Sequence, residues 1–224
     1  MASNNPSSPS VKELREAKRA EKVAVLKKQQ AKEKRNRRIG IIAASVGAVA
    51  VIALIITFVV SSAVPKVDPA DIAIKGLKTF DGLTAVHVAT AVDYDAEYGM
   101  NPPAGGDHNQ AWLNCGVYSE PQQNENAVHA LEHGAVWVTY DPDALSDAEV
   151  ETLRDEIPST YMLLTPYPGL PAPVVASAWG NQVQLDGVDD PRLDDFIEKF
   201  RQSPDAPEPG AACTGAIDGP GRVS

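Results

Sequence analysis

Four imidazoles and one carboxylate offer most of the chemistry in this sequence. His129 and His133 lie four residues apart in His129-Ala130-Leu131-Glu132-His133-Gly134. On a helix, positions i and i+4 share a face, so both rings can turn toward one metal ion. Glu132 sits beside that face, three residues from His129. The string reads H-x-x-E-H, the inverted zinc-peptidase pattern, in which the glutamate is the general base for a metal-bound water. Gly134 and the run Ala135–Tyr140 (AVWVTY) end the helix at the motif, where a peptidase helix would continue. Glu132 is thus a catalytic candidate only if the protein is a metal-dependent hydrolase. His108 follows the Gly105-Gly106 turn, which can aim a loop side chain inward, and His87 adds a fourth ring. As a set, His129, His133, His108 and His87 suit Zn, Cu or Ni; Met100 and Cys115 are softer donors that would favour Cu(I). A structural role competes: His133 as a positive residue at a helix C-terminus, with His129 and Glu132 bonded to backbone groups. No G-x-S-x-G, P-loop or G-x-G-x-x-G pattern occurs.

The elements that must position these residues follow from periodicity and punctuation. Asn124–His133 reads as a short helix capped by Asn124 and stopped by Gly134. Ala135–Tyr140 is a strand by its β-branched and aromatic content. Leu145–Ile157 is a helix that starts at the capping box Ser146-x-x-Glu149 and ends before Pro158. Met162–Thr165 and Val174–Trp179 are strands separated by a Pro-rich loop, with Gln182–Leu185 extending the second. Asp190–Gln202 is the last helix, striped by Leu193, Phe196, Ile197 and Phe200. Ala85–Val88 and Leu113–Tyr118 read as short strands, and Asp93–Gln110 reads as loop. The order predicts an α+β (or α/β) domain with one mixed sheet and about three helices.

Charge supplies the topology. Of 224 residues, the first 38 hold twelve Lys/Arg against four acids, a net of +8. Residues 39–64 carry no charge over 26 positions, and residues 66–224 hold eight bases against 26 acids, a net of −18. About 20 apolar residues span a bilayer as a helix, so 39–64 is expected to be a transmembrane helix. A cleaved signal peptide competes, but its apolar region is usually only about 7–15 residues. Lys34, Arg35, Arg37 and Arg38 abut the span, and only Lys66 lies just beyond it. The positive-inside rule then puts the N-terminus in the cytoplasm and the acidic body outside the cell membrane. Residues 11–35 are expected either as a basic helix on anionic headgroups or as a solvated tail, and Met1–Ser10 as disordered. The acidic body argues against nucleic acid as a partner.

The expected boundaries are therefore a basic tail over 1–38, the span over 39–64, a linker over 65–79, the α+β domain over 80–202, and a Pro/Gly-rich tail over 203–224. Both cysteines, Cys115 and Cys213, fall in the outer body. An even pair in an oxidising compartment points to one disulfide, which would staple the C-terminal tail; a reactive or metal-bound thiol is the alternative.

His87, Tyr98, Pro102–His108, Gly116-Val117-Tyr118, Val128–Val136, Tyr140, Pro166-Tyr167-Pro168, Ser177–Gly180 and Phe196–Arg201 together resemble the bacterial domain-of-unknown-function family 3105. The resemblance covers about residues 80–210, and V-H-x-L-E-H-G is its most specific element. It implies a single-pass membrane protein with this domain outside, four histidines that share a site, and no assigned activity. The function expected is a non-catalytic binding module with a His-rich, Zn- or Cu-type site. The alternatives are an accessory or assembly subunit of a respiratory-type membrane complex, docked through the acidic face, and a hydrolase using Glu132.

Overall fold

The computed structural model describes residues 11–62 and 67–223, as two units divided at Lys66. In the first unit, Val11–Ser62 is one helix, α1, of 52 residues. Within it, Glu21–Ile55 is long and apolar enough to cross a membrane. Ser45 and Thr57 return their hydroxyl protons to Ile41 O and Ala53 O, so neither leaves an unmatched donor on the helix surface. The expected boundary at residue 38 is not a break: the basic segment continues as helix into the apolar one. Met1–Ser10, and the last two positions of the expected span, lie outside the described residues.

The second unit is α+β. Six strands form one mixed sheet: β1 Lys78–Thr79, β2 Gly116–Val117, β3 Val136–Tyr140, β4 Met162–Pro166, β5 Val174–Ala178 and β6 Asn181–Leu185, in the order β1-β6-β5-β3-β4-β2. Helices α2 Tyr94–Tyr98, α3 Asn124–Glu132, α4 Asp147–Glu156 and α5 Arg192–Phe200 accompany it. β3 and β4 are parallel, which requires a crossover, and α4 supplies it. Glu149 accepts from both the backbone N–H and the hydroxyl of Ser146, so α4 starts at the expected capping box.

β3 is buried along its whole length, because both faces of the sheet are covered. Val136, Val138 and Tyr140 meet Leu153 of α4 and Leu193, Phe196 and Ile197 of α5. Trp137 points the other way, onto Ala127, Ala130 and Leu131 of α3. The alternation that sends Trp137 to that face also gives the histidine-bearing helix a floor.

Several expected boundaries change. Lys78 and Thr79 pair with Gln182 and Asn181, so the expected linker 65–79 ends as an edge strand. Two residues are too few to show a period. Upstream, Lys199 Nζ donates to Ile72 O at 2.6 Å, tying that segment to α5. Gln182–Leu185 does not extend β5 but returns antiparallel to it as part of β6. The expected strand Ala85–Val88 is reduced to a bridge between His87 and His108, and Leu113–Tyr118 to β2 and isolated bridges. The tail 203–224 does more than hang from a staple: Asn114 N–H donates to Ile217 O, and Val223 N–H to Val117 O, each at 2.8 Å. Cys115 and Cys213 are disulfide-bonded with Cα atoms 5.4 Å apart.

Candidate metal centre

α3 is buried from Asn126 to Glu132 and stops abruptly. Gly134 adopts φ +93°, its N–H reaches Leu131 O at 2.9 Å, and Ala135 N–H reaches Ala130 O at 3.0 Å. This is a Schellman stop, and a Cβ on Gly134 would lie 3.3 Å from Gln202 Cα. The helix therefore delivers His129 and Glu132 from its last turn and His133 from its end.

His108 arrives on the loop Pro102–His108, which α2 clamps. The sequence reads this region as loop, yet Asp93 caps the helix by accepting from Ala96 N–H, and Gly99 ends it in the left-handed region. Tyr94 and Tyr98, one turn apart, then bracket Asp107. Tyr94 Oη donates to Asp107 O at 2.7 Å, and Asp107 N–H donates to Tyr98 Oη at 3.2 Å. Burial holds the Tyr94 hydroxyl well above the ordinary phenol range, with Glu125 adding to the shift, so it remains a donor. Gly106 lies under the Tyr98 ring at φ +107°, where a Cβ would come 2.7 Å from ring carbon. Gly106→Ala is expected to cost about 1–3 kcal/mol in urea denaturation, from φ strain and overpacking, and to displace His108. Beyond His108, the Asn126 side chain donates to Ala111 O at 2.6 Å and fastens the chain along α3. His87 reaches the same place through the backbone: Val88 N–H donates to His108 O and His108 N–H to Val86 O, at 2.7 and 3.0 Å.

The ring nitrogens are sorted by these contacts. His108 Nδ1 lies 2.8 Å from Gly106 O, His129 Nδ1 2.7 Å from Asn109 O, and His133 Nδ1 2.7 Å from Ala212 O. A carbonyl only accepts, so each Nδ1 carries a proton, and Nε2 is the nitrogen left over, a lone pair whenever the ring is neutral. Backbone carbonyls hold metal-ligating imidazoles in the same way. Burial is the main cause that pushes His129 down to about 4, with the neighbouring imidazoles adding to it, so this ring is neutral at pH 7.

The free nitrogens converge on Glu132. Its Oε2 lies 3.0 Å from His108 Nε2, 3.7 Å from His129 Nε2 and 4.0 Å from His87 Nε2. One ligand atom from each of these four residues falls within 4.8 Å of all the others. A tetrahedral ion with bonds of 2.0–2.1 Å needs ligand atoms about 3.3 Å apart, which these distances bracket. His108 Nε2 and Glu132 Oε2 are buried, face each other at 3.0 Å and have no other hydrogen-bond partner. Such a pair calls for a proton or a cation. His108, His129 and Glu132 are all buried, whereas the His87 side chain is 44% exposed.

The sequence-expected set is thus redistributed. The i, i+4 partners His129 and His133 do not share one group; His87 joins His108 and His129 instead, and the i, i+3 partner Glu132 completes the four. His133 Nε2 faces Glu208 Oε2 at 3.4 Å, in a second group with Glu132. Glu132 Oε2 lies among the atoms that could bind an ion, rather than behind them as a peptidase base would. The soft donors are committed elsewhere: Cys115 is in the disulfide, and Met100 Sδ accepts from Ala104 N–H. Of the structural alternative, His129 does bond a backbone carbonyl, but with only one of its two nitrogens; Glu132 Oε2 has no hydrogen-bond partner, and His133 bonds Ala212 O rather than the end of its own helix. The sequence reading missed Glu208 and the three carbonyl clamps. The one hint was Cys213, which brings the C-terminal segment back to Cys115. Trp112 packs against His129 and His133 with ring centroids 5.6 and 4.9 Å away, and Trp179 meets His108 edge-on at 5.8 Å.

Residues 87–215 match the family described as Protein of unknown function (DUF3105). No curated protein and no solved structure matches the chain. The matched stretch begins at His87 and takes in every member of both histidine–glutamate groups.

Proposed function

The chain belongs to the DUF3105 family of proteins of unknown function, and from that premise we propose that it is a membrane-anchored metal-binding module. It holds a divalent cation on His87, His108, His129 and Glu132, in a domain displayed outside the cell membrane. The observation that carries this reading is the facing pair of buried atoms, His108 Nε2 and Glu132 Oε2, with His108 and His129 fixed through their Nδ1 atoms. Three nitrogens and one oxygen without a thiolate or thioether suit Zn2+, with Cu2+ the next fit, and take support from Cu(I). The basic flank of the apolar helix supports an inside N-terminus, and the disulfide supports an oxidising surrounding. The role proposed is binding, with Glu132 as a ligand to the ion rather than a base acting on its water.

The test is metal content of the full-length chain, extracted in mild detergent without chelator. At least about one equivalent of Zn or Cu is expected in the wild type, and none at this position in His108→Ala combined with His129→Ala. Wild-type protein that carries no metal and takes up none from buffered Zn2+ overturns the proposal.

A further inference from the structure

We propose that His133, Glu208 and Glu132 hold a second divalent cation beside the first, with the Glu132 carboxylate shared between the two. The inference rests on the reading of the first position given above. One ligand atom from each of these three residues lies within 4.8 Å of the other two. His133 repeats the arrangement of its neighbours: the ring is buried, Nδ1 is spent on Ala212 O, and Nε2 is the nitrogen left to bind. That nitrogen faces the Glu208 carboxylate, with Oε2 3.4 Å away.

Glu132 can serve both positions, because an ionised carboxylate offers two oxygens and about four lone-pair sites. Its surroundings support that. The backbone N–H of Glu208 donates to Glu132 O at 3.0 Å, so the segment bearing the third ligand is seated on the end of α3. Four residues further, the same segment supplies the Ala212 carbonyl that orients His133. This C-terminal strap thus provides one ligand and one clamp, and Cys213 ties it to Cys115.

The two positions differ in finish. The first has four protein ligands, three of them buried. The second has three, and the Glu208 side chain is 55% exposed. A second ion therefore keeps a coordination position open to water, the arrangement of catalytic and exchangeable sites rather than closed structural ones. Shared carboxylates are a usual device for holding two divalent ions close, and the charge of −18 on residues 66–224 favours a second cation.

The probe is Zn2+ alone, titrated into metal-stripped full-length protein in detergent and read by bound equivalents. About two equivalents are expected for the wild type. Glu208→Gln alters an exposed side chain and leaves the fold in place; it is expected to weaken the second equivalent at least ~10-fold and to spare the first. His133→Ala is expected to bind about one equivalent at wild-type affinity. One equivalent in the wild type, unchanged by Glu208→Gln and His133→Ala and lost in His108→Ala, overturns the second position and leaves the first standing. No binding at all overturns both.

Discussion

Glu132→Gln is expected to abolish metal binding while leaving the metal-free protein folded and at least as stable. The two halves of that result have different causes. Glu132 contributes the only buried carboxylate to the first group and is the residue common to both. A glutamine oxygen is a neutral and much poorer ligand for a divalent ion, so both positions lose their anchor. Without metal, however, the wild type leaves Glu132 Oε2 and His108 Nε2 buried 3.0 Å apart, with no donor paired to them unless His108 takes up a proton. A glutamine amide can place an N–H there and supply the donor that this pair lacks. Saturating the wild type with Zn2+ at about 1,000 times its Kd should add about 4 kcal/mol, or roughly 8–16 °C in Tm for a domain of this size. Glu132→Gln should show no more than about 2 °C of that shift, with a metal-free Tm equal to or above wild type. A full metal-induced shift in the variant would show that the cluster is not where the ion sits.

The second large effect concerns the disulfide. Cys115 and Cys213 are 98 residues apart, and closing a loop of that size restricts the unfolded chain by about 4–5 kcal/mol. Cys115→Ser with Cys213→Ser should therefore lower the metal-free Tm by roughly 8–20 °C. The effect on binding should be uneven. Residues 208–213 carry Glu208 and the Ala212 carbonyl, which serve the second position. The clamps of the first, at Gly106 and Asn109, lie outside that strap. Zn2+ titration below the variant's Tm should find the second equivalent weakened about 10-fold or more and the first within about 3-fold of wild type. Equal losses at both positions would mean that the strap supports the whole cluster rather than one side of it.

The sequence disclosed these features unevenly, for physical reasons. The β3–α4–β4 unit and α5 were legible because long apolar runs and capping residues leave local signatures. Ser146 with Glu149, and the stripe Leu193, Phe196, Ile197 and Phe200, needed no tertiary information. β1, β2 and α2 have two, two and five residues, and no period can show over such lengths. Even so, Asp93 and Gly99 mark the two ends of α2 in plain sight. At the site, helical spacing correctly put His129 and Glu132 in one turn but favoured His133 as the partner of His129. The two rings do lie together, with centroids 4.7 Å apart, but His129 falls in one group with His87 and His133 in another with Glu208, because His87 and Glu208 arrive by long-range backbone pairing. No local pattern encodes such pairing. The Pro/Gly-rich C-terminus looks dispensable by composition, and it is the piece that reaches His133.

On the proposed reading, the exposure of His87 would govern exchange rates more than affinity. His108, His129 and Glu132 are buried, with Trp179 against His108 and Trp112 against His129, so an ion held at the proposed first position would not leave by shedding them one at a time into water. His87 is the ligand that solvent, or an incoming donor from another molecule, can replace first. An ion held this way can bind tightly yet change hands quickly when a competing ligand comes to that edge, and slowly when none does. The four-ligand cluster then resembles a valve with one side hinged, and its direction of opening is set by which histidine the fold left in the light.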